Sequence, residues 1–516
     1  MGESSGTEIC VQDAGLESFS VETPGGRIHI RWDYEASATP NAQLAFFAEF
    51  LATAGVYESW IDSCPLRYAN SSGGDQHKRD ALGTWFLSIL AGHHRYAHIT
   101  ALRSDGVSPQ ILGMSQIVSE DALRRALARL SADQSRDWLR PQLLASVEAA
   151  LTTPWILDID TTIKTLFGKQ SGAEVSYNPH KPGRPSHALH TYFVSHLRMV
   201  LDVVVSPGKE HAAAHARPGL KDILNNLSRE QLPALVRGDC GFGNEPFIAE
   251  LETRGQPYLF KLRQTSGVKK MLMRQFARKD WTTPGPSDQG WSAVEDTLKL
   301  AGWDKSRRVV ILRRASRSAV ALTRKAAEGQ MELLLPDQDV ELWEYAVLVT
   351  NSGYPLEAMA QLYRDRADAE NGFDELKNQW GWGGFTTQDI ERCQTSARAV
   401  ALIYNWWSWY CRAAKPEARM EAITSRALLL ASVGRATKHA GKTTLYLTPM
   451  HASRAALMLL IANIRAALGH VRKVAEQSPS ADRWKTLLDY IAARIIPRRP
   501  RKRLETGALL LGNCCF

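Results

Sequence analysis

Residues 362–380, LYRDRADAENGFDELKNQW, constrain this chain more than any other stretch. On an α-helix successive residues turn by about 100°. At that pitch Tyr363, Arg366, Glu370, Asp374 and Lys377 line up within roughly a quarter of the circumference. Leu362, Ala369, Phe373, Leu376 and Trp380 fall together on a neighbouring stripe. The spacing predicts a helix that buries one stripe and presents Tyr, Arg, carboxylate and Lys in one row. That set of groups suits a metal-bound phosphate. The same row also serves as a solvated face laced with i,i+4 ion pairs.

The whole chain has 516 residues, enough for about two to four domains. Hydrophobic residues make up 44% and charged residues 23%, which excludes disorder throughout. The net charge of +9 points to a polyanionic partner. Its distribution says more. Residues 401–516 hold 19 Lys+Arg against 6 Asp+Glu, a net of +13, so the remainder is slightly acidic. The basic block peaks at Arg498, Arg499, Arg501, Lys502 and Arg503, a cluster suited either to tracking phosphates or to a solvated tail.

The seven cysteines are Cys10, Cys64, Cys240, Cys393, Cys411, Cys514 and Cys515. They are scattered, odd in number and without CxxC spacing, which speaks against a disulfide framework or a zinc site and fits a reducing cytosol. MGESSGTEICVQ lacks the basic-then-apolar pattern of a signal sequence. The most apolar run, residues 399–411, is too short to span a bilayer and is bracketed by Arg398 and Arg412. The expectation is a cytoplasmic protein with no membrane partner.

Organisation follows from periodicity. Residues 1–21 read as disordered. Residues 22–150 read as a helical N-terminal DNA-binding domain, in which 108–130 resembles either a helix–turn–helix or a plain helical hairpin. The texture changes at Pro154. In PWILDID, Trp155, Leu157 and Ile159 face one way and Ile156, Asp158 and Asp160 the other. Two more strands, then alternating helix and strand, make an α/β mixed sheet with helices on its faces. That core spans 151–263 and 344–400. Residues 264–343 read as a β-rich insertion subdomain, with VVILRR and MELLL as strands. Residues 401–516 read as a helical basic C-terminal region with a tail.

Three acidic positions stand out. Asp158 and Asp160 share one face of an otherwise apolar strand, where a charge is costly unless it is paired or metal-bound. Asp239 ends a strand in the glycine-rich turn RGDCGFG, where backbone can approach closely. Glu370 lies in the polar row. If they converge, their hard oxygen ligands suit a pair of Mg²⁺ ions, with Mn²⁺ as a substitute, about 3.5–4 Å apart. The lack of Cys or a His pair disfavours zinc.

These residues resemble a known family. Tyr363, two residues, Arg366, three residues, Glu370, six residues and Lys377 match the tyrosine–arginine–glutamate–lysine signature of bacterial insertion-sequence DDE transposases. LDIDTT resembles that family's first-aspartate motif and favours Asp160 over Asp158; RGDCGFG resembles the second and gives Asp239. GKQSGAEVSYNPHKPGRPS at 168–186, the Val-Thr-Asn before the helix and ENGFDELK extend the match to the branch known as DDE domain group one. Cys240 stands where relatives usually carry Ser, and His187-Ala188-Leu189 replaces a more usual Tyr-His-Pro.

The resemblance implies a ribonuclease-H-like catalytic core with a β-rich insertion before the glutamate helix. It implies that Asp160, Asp239 and Glu370 bind the metals and catalyse. Tyr363, Arg366 and Lys377 would contact phosphates beside the cut. Trp343 or Tyr345 would stack an extruded base. Lys169 and Arg184, in the matched Gly-Lys-Gln and Gly-Arg-Pro segments, would touch DNA. The implied partners are double-stranded DNA, both terminal inverted repeats and target, and a second copy of the chain in a homodimer that pairs two ends within the bacterial nucleoid. Two further readings remain open: a nuclease of the same fold without strand joining, and a non-catalytic DNA-binding regulator.

Overall fold

The computed structural model describes residues 18–495, apart from 32, 34–36, 69–72, 152–153, 176–180, 209–211, 286–287, 316–342, 386, 449–453 and 476–481. The tail cations Arg498, Arg499, Arg501, Lys502 and Arg503 lie outside the described residues, as do residues 1–17 and the MELLL segment.

Fourteen strands occur among the described residues: β1 (Ser18–Thr23), β2 (Gly26–Arg31), β3 (Ser37–Thr39), β4 (Ile156–Thr165), β5 (Glu174–Val175), β6 (Pro185–Val194), β7 (Met199–Pro207), β8 (Leu235–Gly238), β9 (Tyr258–Lys261), β10 (Ser292–Leu298), β11 (Arg307–Ala315), β12 (Trp343–Thr350), β13 (Gly434–His439) and β14 (Lys442–Leu447). Nine of them form one mixed sheet in the order β10-β11-β12-β9-β8-β4-β6-β5, with β7 also paired to β6. β4 runs antiparallel to β6 but parallel to β8, and β8 is parallel to β9.

β4 alternates as its sequence demands. Trp155, Leu157 and Ile159 enter the main core, while Ile156 joins a second cluster on the opposite face with Leu235, Leu259 and Met359. The main core is built around the Ile390–Ala414 helix, which is buried along most of its length, including Trp406, Trp407 and Trp409. A helix apolar on all sides must sit between layers; this one packs on β7 and on the Ala132–Ala145 helix. The helix Arg454–Ala475 is long and apolar enough, by length and composition, to cross a membrane, but it turns Ile464, Leu468 and Val471 into the same core.

The structure departs from the sequence expectations in several places. Residues 18–21 belong to β1, because a turn at Thr23–Gly26 lets β1 and β2 close a hairpin ladder. The expected helical regions also carry strands, since β3 pairs with β13 of the β13–β14 hairpin. β10 and β11 do not form a separate sheet; β11 adds to the free edge of β12, so 292–315 extends the main sheet. Position 401 falls inside one continuous helix rather than at a boundary. In the segment 108–130 the first helix, Ser108–Ile111, is a single turn, too short to cross a DNA backbone as a helix–turn–helix requires.

Candidate active site

The polar-striped segment folds as two helices, Leu356–Arg364 and Ala367–Gln379, rather than one. At the junction the ladder tightens: Arg366 N–H donates to the Tyr363 carbonyl at 3.2 Å, an i→i−3 bond. Helical periodicity does not foresee this break, because the Arg366 side chain at it is held by a partner on β4. The apolar stripe is buried as expected: Leu362, Ala369, Phe373, Leu376 and Trp380. Gly372 makes that packing close. A Cβ there would stand 2.6 Å from Phe193 on β6.

Arg366 joins two of the three expected carboxylates. Its Nη2 donates to Asp160 Oδ1 at 2.7 Å, and its Nη1 donates to Glu370 Oε1. Asp160 sits on β4, mostly buried, while Glu370 is exposed at the helix surface. Asp239 follows β8, the parallel neighbour of β4, and accepts from Gly241 N–H at 2.8 Å. Gly238 lets that strand end lie against Phe242 and Phe260, where a Cβ would come within 2.9 Å. Asp239 acts electrostatically on Asp160, Tyr363 and Arg366.

Electrostatics tie the group together. Burial raises the Asp160 carboxyl above its ordinary range; Asp239 and Glu370 push the same way, while Arg366 and Lys377 oppose. Burial opposes the charge on Arg366, but Asp160, Tyr363, Asp239 and Glu370 outweigh it and hold the guanidinium more firmly protonated. The Tyr363 hydroxyl is pushed up to about 12, chiefly by burial, so it acts as a neutral donor.

Asp158, two residues before Asp160, is engaged elsewhere. It is buried in a bidentate pair with the equally buried Arg237, at 2.6 and 2.7 Å. Arg237 also reaches the Leu362 carbonyl and, at 3.1 Å, Ser195 Oγ. This pair neutralises Asp158 and anchors β4 and β8 to the helix that leads into Arg366. Sequence reasoning missed it; an Arg two residues before Asp239, inside an apolar strand, was the available signal. It also missed Glu375, which is buried and receives hydrogen bonds from Arg419, Ala422 N–H and Trp380 Nε1.

The other expected DNA contacts are more scattered. Lys377 is exposed on the Glu370 helix and acts electrostatically on Asp160. Lys169 and Arg184 are exposed at the β4–β6 end, with the Arg184 guanidinium 5.6 Å from the Phe167 ring centre. Trp343 stacks on Arg313 at 4.4 Å, and Tyr345 lies against Phe276 and Trp281. Among the described residues no contact joins either ring to the three carboxylates, so both aromatic rings serve the β11–β12 end of the sheet.

The donor set fits hard divalent cations in chemistry and in charge. Asp160 and Glu370 flank a single guanidinium, so the space between them already accommodates positive charge. The carboxylates stand wider than a closed cluster: no group of three His, Cys, Asp or Glu among the described residues is gathered tightly enough to hold an ion.

A mixed sheet that sets Asp160 on β4 and the helix-borne Glu370 against one arginine, with Asp239 just past the end of the neighbouring strand, defines a protein with an acidic site suited to phosphate chemistry. The family model for the transposase DDE domain, group 1, matches residues 75–468, and the chain belongs to that family. No curated protein matches it. Among solved structures, the piggyBac transposase in a synaptic complex with hairpin DNA is similar at 11% identity, over 90% of this chain and 89% of that one, with a TM-score of 0.35. That likeness is too distant to bear on the chemistry of this site.

Proposed function

We propose that this DDE transposase excises an insertion sequence of bacterial type by metal-dependent phosphodiester hydrolysis and joins the freed 3′-hydroxyl ends to target DNA. Asp160, Asp239 and Glu370 would hold two Mg²⁺ or Mn²⁺ ions. Such ions, when bound, activate a water or 3′-hydroxyl and stabilise the leaving oxygen of an in-line displacement at phosphorus. The protein's own part is positioning. Arg366 supplies a planar donor fork between the ligands, able to pair with a phosphate oxygen. Tyr363 offers a neutral hydroxyl and Lys377 a point charge along the same strand of DNA.

The observation that carries this reading is the shared guanidinium: Asp160 and Arg366 lie 206 positions apart, yet form a direct pair that also gathers in Glu370. The order β7-β6-β4-β8-β9, with antiparallel pairs on one side of β4 and parallel pairs on the other, supports a ribonuclease-H-like core over 151–263 and 344–400. The 22–150 region and the basic 401–516 region would grip the DNA, two copies would pair the two ends, and the working place would be the nucleoid.

The test is incubation with Mg²⁺ and a labelled duplex carrying the element's end. Site-specific cuts plus joined products are expected. Cuts alone would leave a nuclease, and a shifted band without cuts a regulator. Glu370→Gln should lower cutting on the order of 100-fold or more while DNA binding persists. A variant that cut at the wild-type rate would remove Glu370 from the ligand set.

A further inference from the structure

A cavity of about 500 Å³ is lined by Thr162 and Lys377, which lie on the two elements that carry Asp160 and Glu370. It lies between the segment His94–Ala97, the end of β4 and the turn that follows Trp380. Glycine builds its wall. Phe385 N–H donates to the His94 carbonyl at 2.9 Å, and a Cβ on Gly384 would stand 2.4 Å from that same oxygen. Gly381 is equally tight, 2.3 Å from the His93 carbonyl, and has φ +67°. The Gly-Trp-Gly-Gly run at 381–384 thus brings two backbones together at the lip of the cavity.

The lining is one-signed. It carries Arg95, Arg124, Lys164 and Lys377 and no Asp or Glu. Lys164 is half-buried, and its Nζ stands 3.4 Å from the Gly384 carbonyl, a weak contact for an ammonium. Two neutral donors in the lining are buried without a partner: Thr162 Oγ1 and Trp382 Nε1. Thr162 is 7% exposed and Trp382 2%. Buried donors left unpaired cost about 1–3 kcal/mol each, and these two lie just behind the cavity wall. Its size is in the range, roughly 300–1,000 Å³, that takes a small organic group.

We propose that this cavity is a second, non-reacting phosphate site, which seats one backbone phosphate of the bound DNA strand a short way from the linkage held at Asp160. Lys164 and Arg124 supply the charge that holds it. Lys377 stands between the two phosphates, so the strand is held on both sides of it. This rests on the transposase reading for the strand's identity, but on the cavity's own residues for its chemistry.

Fluorescence anisotropy tests it, in EDTA so that no cutting occurs. A panel of end duplexes is made, each with a single neutral methylphosphonate linkage. For the wild type, one linkage should weaken binding about 5- to 10-fold more than its neighbours. In Lys164→Met that linkage should no longer stand out. Arg124→Ala, at an exposed side chain, should blunt it in a protein whose fold is intact. If wild type and both variants respond alike at every linkage, the site is overturned. A parallel titration of inorganic phosphate against tryptophan fluorescence should show no saturation below millimolar; tight saturation would make free phosphate the ligand and overturn the DNA assignment. A duplex bound with this coupling but never cut would leave the cavity standing and remove the transposase reading. Cutting without coupling would do the reverse, and no duplex binding would remove both.

Discussion

Arg366 Nη2 donates to Asp160 Oδ1 at 2.7 Å across 206 positions of chain. The bond fastens the helical junction to β4 and sets a cation among carboxylates that otherwise repel one another. Asp160 is mostly buried, so the pair is only weakly screened by solvent.

Removing that cation should be felt in stability and in charge. Arg366→Met is expected to destabilise the fold by about 2–3 kcal/mol, the worth of hydrogen bonds to a charged group. It should also drive the Asp160 carboxyl further up, since Arg366 is the largest influence holding it down. Urea unfolding and carboxyl-carbon NMR titration measure the two effects. Arg366→Lys, which keeps the charge but lacks the fork, should recover only part of each. Full recovery would mean that the bridge itself contributes nothing.

The Asp158–Arg237 pair should act purely on the fold. Both side chains are essentially inaccessible, so Arg237→Met leaves a buried carboxylate uncompensated and should cost about 3–5 kcal/mol. Replacing both, as Asp158→Leu with Arg237→Met, should restore much of the loss. A double variant as unstable as the single one would point instead to Arg237's bond with the Leu362 carbonyl.

Gly372→Ala pits propensity against packing. Alanine favours an isolated helix by about 1 kcal/mol over glycine. Here its methyl would meet Phe193 at 2.6 Å, and overpacking of that kind costs about 1–3 kcal/mol. The net expectation is a loss of stability, with the Glu370 helix lifted from β6 and cutting reduced more than DNA binding. Parallel unfolding and cleavage assays decide; a stabilised variant would show that the helix can shift freely.

Acid should unfold the protein through its buried histidines. His190, packed between Thr161 and Ser206, is pushed down to about 3 by burial, with His215 adding. His196 is pushed down to about 4, again by burial, with Arg412 adding. Both fall below the ordinary 6.5, so the unfolded chain takes up protons first. The stability they contribute is present above about pH 6.5 and is lost as pH falls towards those lower values, by about 1.4 kcal/mol per unit for each histidine. Urea midpoints between pH 7.5 and 5 should fall accordingly, and His190→Gln should flatten the slope. An unchanged slope would place the acid sensitivity elsewhere.

Local pattern was enough to read much of this molecule from its residues alone. The alternation in 155–160 placed Leu157 and Ile156 on opposite faces of β4, where they are found. The stripe from Leu362 to Trp380 named the buried side of the glutamate helix. Such features are legible because the period of a strand or helix is set within a few residues.

What only the tertiary structure decided depends on partners brought from far along the chain. Alternation alone leaves Asp158 and Asp160 alike, and the LDIDTT resemblance favours Asp160; the fold supplies the physical reason, since Arg237 on β8 consumes Asp158 and leaves Asp160 to Arg366. The break at Arg366, the joining of β10 and β11 to the main sheet, and the basic cavity at Lys164 have the same origin. Periodicity tells a side chain which way to face, whereas charge neutralisation and strand pairing are settled by whatever stands opposite.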